Sequence, residues 1–260
     1  MASGACREKN MRVMILGSGT AVPDPERGSP GIAVWVDGSL VFLDLGSGSA
    51  YRAARFGVQV QDLDGVIFSH LHPDHTGDLV PLLFAFRNAE WARSKPLWLW
   101  GPPGLAGHLG ALESVYESWI EPLGYERRVA ELFESVVSVG SWQLKTVPVR
   151  HGPPAIACAL VDSKGRKLVY SGDTEPCEEL ISLAAGADLL ILECSFPEGR
   201  VSPGHLTPGQ AGRVAARAGA KRLVLTHFYP ACRGHDVVGA CARTYRGEIT
   251  MAWDGLTLDI

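Results

Sequence analysis

Short apolar runs alternate along the chain with polar turns and with longer stretches compatible with helix, the pattern of a layered α/β protein. Arg12 to Leu16, Gly31 to Val36 and Leu40 to Asp44 read as strands. Val41, Phe42 and Leu43 are apolar without a break, which predicts a strand covered on both faces. A helix is expected from Ser49 to about Phe56, a buried strand at Gly65 to Phe68, a helix ending near Asn88 and a strand at Leu97 to Trp100. Pro102-Pro103 then opens a helix predicted to reach Trp119. The second half predicts strands at Leu144 to Val149, Ala155 to Val161, Lys167 to Ser171, Asp188 to Leu192, Arg222 to Thr226 and Glu248 to Trp253, with helices between them.

The polar interruption after Phe68 carries the chemistry. Ser69-His70-Leu71-His72-Pro73-Asp74-His75 packs three imidazoles and a carboxylate into a strand-to-helix turn. On such a turn His70 and His72 point to one side, while Asp74 and His75 reach a second point a few residues on. That arrangement suits two metal ions better than one. Imidazole nitrogen and carboxylate oxygen are ligands for Zn²⁺, Mn²⁺ or Fe²⁺, and the lack of cysteine in the cluster argues against a closed structural zinc site. A polar loop that merely holds three histidines is the alternative.

Two bridged ions need about seven or eight protein ligands, so further donors are expected at other strand ends. His151, Asp173 and His227 each follow a strand-like segment. The set His70-x-His72-x-Asp74-His75, His151, Gly172-Asp173-Thr174 and His227 resembles the metallo-β-lactamase fold hydrolases over about Met11 to Ile260. The resemblance implies a four-layer αββα sandwich, two mixed β-sheets covered by outer helices. It also implies that His70, His72 and His151 hold one divalent ion, that Asp74, His75 and His227 hold another, and that Asp173 bridges them. Zn²⁺ is the expected ion. Asp44, in Leu43-Asp44-Leu45-Gly46, matches the family's first aspartate and is expected to steady the histidine turn without touching metal.

Glu193-Cys194-Ser195-Phe196 followed by His205-Leu206-Thr207, and the early Leu16-Gly17-Ser18-Gly19-Thr20, resemble ribonuclease Z and its relatives. The resemblance places Glu193 behind the site and His205 beside the leaving group, whose alkoxide needs a proton or a stabilising donor. It assigns the proton of the attacking water to Asp74. For His205 the alternative is an exposed histidine before a helix that Thr207 caps and Pro208 begins. Gly17-Ser18-Gly19 is no dinucleotide site, because Val22 stands where a third glycine belongs.

Departures from ribonuclease Z bear on the substrate. Only 21 residues separate His151 from Asp173, enough for two strands and a turn but not for the long arm with which bacterial members grip tRNA. Pro23-Asp24-Pro25-Glu26-Arg27-Gly28 keeps half of the family's Pro-x-Lys-x-Arg-Asn element. A net charge of −4 offers no general basic surface for nucleic acid. A small phosphodiester is therefore the expected substrate, with RNA possible but not favoured. A tRNA 3′-processing endoribonuclease without the arm, a lactone or thioester hydrolase and a non-catalytic metal-binding module are the alternatives.

With 46% apolar residues and no low-complexity block, residues 11–260 are expected to form one domain after a disordered tail of residues 1–10. No apolar run is long enough to span a membrane and no signal peptide is evident, so a cytoplasmic location is expected, with the six cysteines reduced. Four of the seven tryptophans fall between Trp91 and Trp119, where core packing is the first expectation and a homodimer face the second.

Overall fold

The computed structural model describes residues 11–91, 93–152 and 154–260, so the tail expected at residues 1–10 lies outside the described residues. The first half supplies strands β1 (Arg12–Gly17), β2 (Gly31–Val36), β3 (Ser39–Leu45), β4 (Gly65–Ile67), β5 (Leu97–Gly101) and β6 (Arg127–Glu131). The second supplies β7 (Ser135–Val139), β8 (Trp142–Pro148), β9 (Ile156–Val161), β10 (Lys167–Tyr170), β11 (Leu189–Glu193), β12 (Arg222–Thr226), β13 (Glu248–Met251) and β14 (Thr257–Asp259). They form two mixed seven-stranded sheets in the orders β14-β1-β2-β3-β4-β5-β6 and β13-β12-β11-β10-β9-β8-β7. Helices α1 (Ser49–Arg55), α2 (Pro73–Thr76), α3 (Leu79–Ala85) and α4 (Leu105–Tyr116) belong to the first half, and α5 (Glu178–Leu183), α6 (Pro208–Ala218) and α7 (Val237–Ala242) to the second.

The unbroken apolar strands are explained by burial on two sides. From β1, Val13 and Ile15 face the second sheet in one core that also takes Val41 and Leu43 of β3. Met14 and Leu16 face the other way, into a separate core with Phe42 and with Leu79, Leu82 and Leu83 of α3. Period-two alternation thus divides one apolar strand between two cores, and the αββα order follows.

Several boundaries differ from the sequence expectation. The helix expected up to Asn88 is two pieces, α2 and α3, with Gly77 and Asp78 between them. The helix expected to reach Trp119 ends at Tyr116 and tightens into a 3-10 turn over Glu117–Ile120, entered through a positive φ at Glu117. Strands β6, β7 and β14 were not anticipated. All three lie at sheet edges and mix polar with apolar positions, so none shows the buried run that marks an inner strand. Trp98 and Trp100 stack on one face of β5 with ring centroids 5.3 Å apart, and the buried Trp100 packs edge-on against Trp142. Trp119 instead stands exposed beside Phe84.

Strand direction gathers the site. Both β8 and β10 run antiparallel to β9, and β10, β11 and β12 are parallel, so the four strands end on one edge of the second sheet. The segments that follow them carry His151, Asp173, Ser195 and His227. The turn after β4 meets this edge directly, since the Ile156 amide donates to the Ser69 carbonyl at 2.8 Å.

Candidate metal centre

The histidine turn is a local construction. Its helix α2 begins at Pro73, where the missing amide costs nothing, and the His72 carbonyl accepts from the His75 amide at 3.0 Å and the Thr76 hydroxyl at 3.1 Å. The turn rests on Gly46, where a Cβ would lie 2.0 Å from the Asp74 carbonyl oxygen. Asp78, at its far end, accepts from the amides of Gly48 (2.7 Å) and Ala50 (2.8 Å), tying it to the start of α1.

Asp44 organises the turn from beneath. It is fully buried, has φ of 57°, and accepts from the Ser69 amide (2.7 Å), the Ser69 hydroxyl (2.8 Å), His75 Nδ1 (2.7 Å) and the Tyr170 hydroxyl (2.7 Å). Left-handed backbone at a non-glycine residue costs on the order of 1–3 kcal/mol, and these four contacts hold it there. Tyr170 comes from the opposite sheet, so one carboxylate joins the two halves behind the histidines.

The orientation of each imidazole follows from what its outer nitrogen touches. His75 gives Nδ1–H to Asp44. Since the Ser69 hydroxyl donates to Asp44, its oxygen accepts from His70 Nδ1 at 3.0 Å. His151 Nδ1 donates to the Gly204 carbonyl at 3.0 Å. The Ser195 hydroxyl donates to Glu193 at 2.6 Å and accepts from His227 Nδ1 at 3.0 Å. All four rings therefore turn Nε2 inward, as ligand histidines do when a partner fixes their tautomer. His72 presents Nδ1 instead, 3.0 Å from His70 Nε2 and 3.2 Å from His151 Nε2.

These contacts place lone pairs against lone pairs. His70 and His151 both direct acceptor nitrogens at His72, which carries at most one proton on that atom. Asp173 is buried between the groups: Oδ2 lies 3.9 Å from the Nε2 atoms of His70 and His151 and 3.6 Å from that of His75, while Oδ1 lies 3.4 Å from His227 Nε2. That Oδ1 is buried and makes no hydrogen bond. Asp74 Oδ2 lies 3.8 Å from His75 Nε2 and 3.6 Å from His227 Nε2. Convergent nitrogen lone pairs and an unsatisfied buried carboxylate oxygen are what cations resolve, so the donor set fits divalent metal. Several overlapping sets of these donors converge, among them His70, His72, His151 and Asp74, His75, His227, with Asp173 reaching toward both and His205 close to Asp173 and His151.

The electrostatics carry the same imbalance. Burial opposes charge on His75, but the Asp44 and Asp173 carboxylates outweigh it and hold its pKa well above the ordinary imidazole value. Burial and the neighbouring His75 push His70 down to about 2. Burial of Asp74 and Asp173 is outweighed by His227 and His75, so both stay ionised, Asp74 with a pKa of about 2. The pocket is acidic at its centre and ringed by nitrogen donors.

His205 stands to one side, part-buried, with Nδ1 3.0 Å from Glu193 Oε1 and 3.9 Å from Asp173 Oδ2. Burial opposes its charge and Glu193 outweighs that, raising its pKa. Glu193 also accepts from the amides of Thr174 (2.9 Å) and Ser195 (3.1 Å). Thr207 caps α6 in a reciprocal pair with Gln210.

Sequence reasoning missed Tyr170, Ser69, Gly46, Gly172 and the Gly204 carbonyl. Tyr170 had one signal, a phenol ending an otherwise apolar buried strand. Gly172, at φ 57°, would place a Cβ 2.5 Å from the Ser69 Cβ, a close approach visible only once the two sheets meet.

A Beta-lactamase superfamily domain matches residues 41–228. Ribonuclease Z of Mycobacterium marinum is 32% identical over 85% of this chain and 87% of its own length. Among solved structures, the metallo-beta-lactamase fold protein YhfI from Bacillus subtilis superposes with a TM-score of 0.84 at 23% identity, over 97% of this chain and all of that one. Human tRNase Z, short form, superposes with a TM-score of 0.78 at 24% identity, over 95% of this chain and 98% of that one. With its two-sheet sandwich and the histidine turn at the shared edge, the chain belongs to the metallo-β-lactamase fold hydrolases, metal-dependent enzymes, in their ribonuclease Z-like branch.

Proposed function

We propose that the protein is a dinuclear metal-dependent phosphodiesterase acting on small phosphodiesters. The observation that carries this is the pair of inward-facing donor groups with the unpartnered Asp173 oxygen between them and the His205–Glu193 pair alongside. His70, His72 and His151 would hold one ion and Asp74, His75 and His227 the other, with Asp173 between the two groups; Zn²⁺ is the expected metal, with Mn²⁺ or Fe²⁺ compatible with the same donors. Bound there, such ions supply Lewis acidity to a phosphoryl group and make water a nucleophile at neutral pH.

The chain's own residues do the rest. Asp74, kept ionised by His227 and His75, takes the proton of the attacking water. His205, its Nδ1–H held by Glu193, turns its other nitrogen to the departing oxygen. Asp44 and Glu193 touch no substrate; they fix the tautomers of His75, His227 and His205 through direct or hydroxyl-mediated hydrogen bonds.

The preference for a small substrate rests on the β9–β10 connection. A tight turn, with Asp162 accepting from the amides of Lys164 and Arg166, fills the interval, leaving no room for an arm. The relatives named ribonuclease Z favour the second reading, a tRNA 3′-processing endoribonuclease. A cytoplasmic location accompanies either; no described helix is long and apolar enough to cross a membrane.

Turnover of metal-loaded protein on bis(p-nitrophenyl) phosphate beside a pre-tRNA with a 3′ trailer tests the choice, with His205→Ala as control. Cleavage of the diester alone, lost in His205→Ala, is expected. Accurate trimming of the tRNA would establish the endoribonuclease, and silence on both would move the assignment to lactone or thioester hydrolysis.

A further inference from the structure

Beyond the donors, an aromatic pair borders the site. Phe196 follows Ser195 at the end of β11, and Tyr229 follows His227 and Phe228 after β12. Their rings stack with centroids 4.8 Å apart and planes 11° apart. His205 meets both edge-on, at 5.7 Å from Phe196 and 6.0 Å from Tyr229, and His227 meets Tyr229 at 6.0 Å. The pair therefore begins one ring-width from a metal-facing histidine and from the group assigned to the departing oxygen.

The pair is built rigidly yet left open. The Tyr229 amide donates to the Ser195 carbonyl at 3.2 Å, and the Tyr229 carbonyl accepts from the Cys232 amide at 2.9 Å in the 3-10 turn Pro230–Cys232. Arg200 lies over the Phe196 ring at 4.8 Å, so Arg200, Phe196 and Tyr229 form one stack. Both rings are only part-buried, whereas the intervening Phe228 is buried. Core packing would bury the larger side chains first. Tyr229 also lines a cavity of about 170 Å³ with Arg27, Arg233 and His235. No protein group hydrogen-bonds its hydroxyl among the described contacts.

We propose that the outer face of Tyr229, backed by Phe196 and Arg200, is a platform for a flat aromatic ring of the substrate, a nucleobase beside the scissile phosphate. This rests on the phosphodiesterase reading and narrows it, since a base stacks on any aromatic face without sequence preference, and a nucleotide-sized diester needs no arm. Stacking of one base on such a face is worth about tenfold to a hundredfold in affinity.

Binding of adenosine 5′-monophosphate and of ribose 5-phosphate to the metal-loaded protein, by isothermal titration calorimetry, separates the ring from the phosphate. The nucleotide is expected to bind about tenfold or more tightly than the sugar phosphate. Tyr229→Leu should bring the ratio close to one, Phe196→Leu, which removes only the ring behind Tyr229, should lower it by less, and Tyr229→Phe, which keeps the ring, should preserve it. Equal affinities in the wild type, or a ratio unmoved by Tyr229→Leu, would overturn the platform. Turnover of bis(p-nitrophenyl) phosphate, measured alongside, tests the parent reading separately. Its absence with the affinity ratio intact would overturn the phosphodiesterase and support the platform as a nucleotide site.

Discussion

The two regions that meet at the metal centre are built on opposite plans. The turn after β4 delivers His70, His72, Asp74 and His75 within six consecutive residues, and most contacts shaping it, from Ser69, Asp44, Gly46 and Asp78, come from the first sheet and its connections. The second sheet delivers His151, Asp173 and His227 from three segments, and the β11–α6 connection steadies two of them: Gly204 holds His151 and Ser195, backed by Glu193, holds His227, while Asp173 Oδ1 makes no hydrogen bond. A cluster closed by local turns keeps its shape wherever the chain goes. A set distributed over strand ends exists only while strand order, direction and register all hold. The Tyr170–Asp44 hydrogen bond joins the two constructions, one donor and one acceptor from opposite sheets.

The comparison can be broken most sharply at Asp173, the carboxylate that among the described residues lies close to both donor groups. Asp173→Ala is expected to cut turnover on the best diester by on the order of a thousandfold or more and to lower metal content. A variant retaining wild-type kcat and metal would show that the two groups do not depend on a shared ligand.

Asp44→Asn comes next. It leaves four donors facing an amide that accepts through one oxygen, and a loss on the order of 10- to 100-fold in metal affinity or kcat is expected, measured by chelator competition and steady-state kinetics. Gly46→Ala presses a methyl group against the Asp74 carbonyl and should destabilise the protein by about 1–3 kcal/mol in urea unfolding, with turnover falling as the turn shifts. Tyr170→Phe removes a donor to a buried carboxylate, a hydrogen bond worth about 1.5–3 kcal/mol, and so measures the link between the halves. No change in stability would mean that this hydrogen bond adds nothing net to the link between the sheets. Smallest of all, Gly107→Ala in α4, where an added methyl meets nothing, should stabilise by up to about 1 kcal/mol and leave kcat unchanged.

The same contrast explains what the sequence disclosed. The histidine turn was legible because its donors are neighbours in the chain, and the inner strands because burial on both faces leaves unbroken apolar runs such as Val41-Phe42-Leu43. His151, Asp173 and His227 were found through their position just past strand-like runs together with the family resemblance. Their convergence depends on β8, β10 and β12 running the same way, which no local pattern encodes. Edge strands β6, β7 and β14 escaped notice because an edge presents a polar face. Tyr170, Gly46 and Gly172 escaped because each matters through a contact distant in sequence: a carboxylate on the other sheet, a carbonyl on the ligand turn, the Ser69 side chain.

The proposed dinuclear centre is most directly tested by counting the metal. Protein reconstituted with Zn²⁺, desalted and analysed by inductively coupled plasma mass spectrometry should retain about two equivalents per chain, with diester turnover abolished by chelation and restored by Zn²⁺. Retention of about one equivalent or none, with turnover undiminished by chelation, would contradict it.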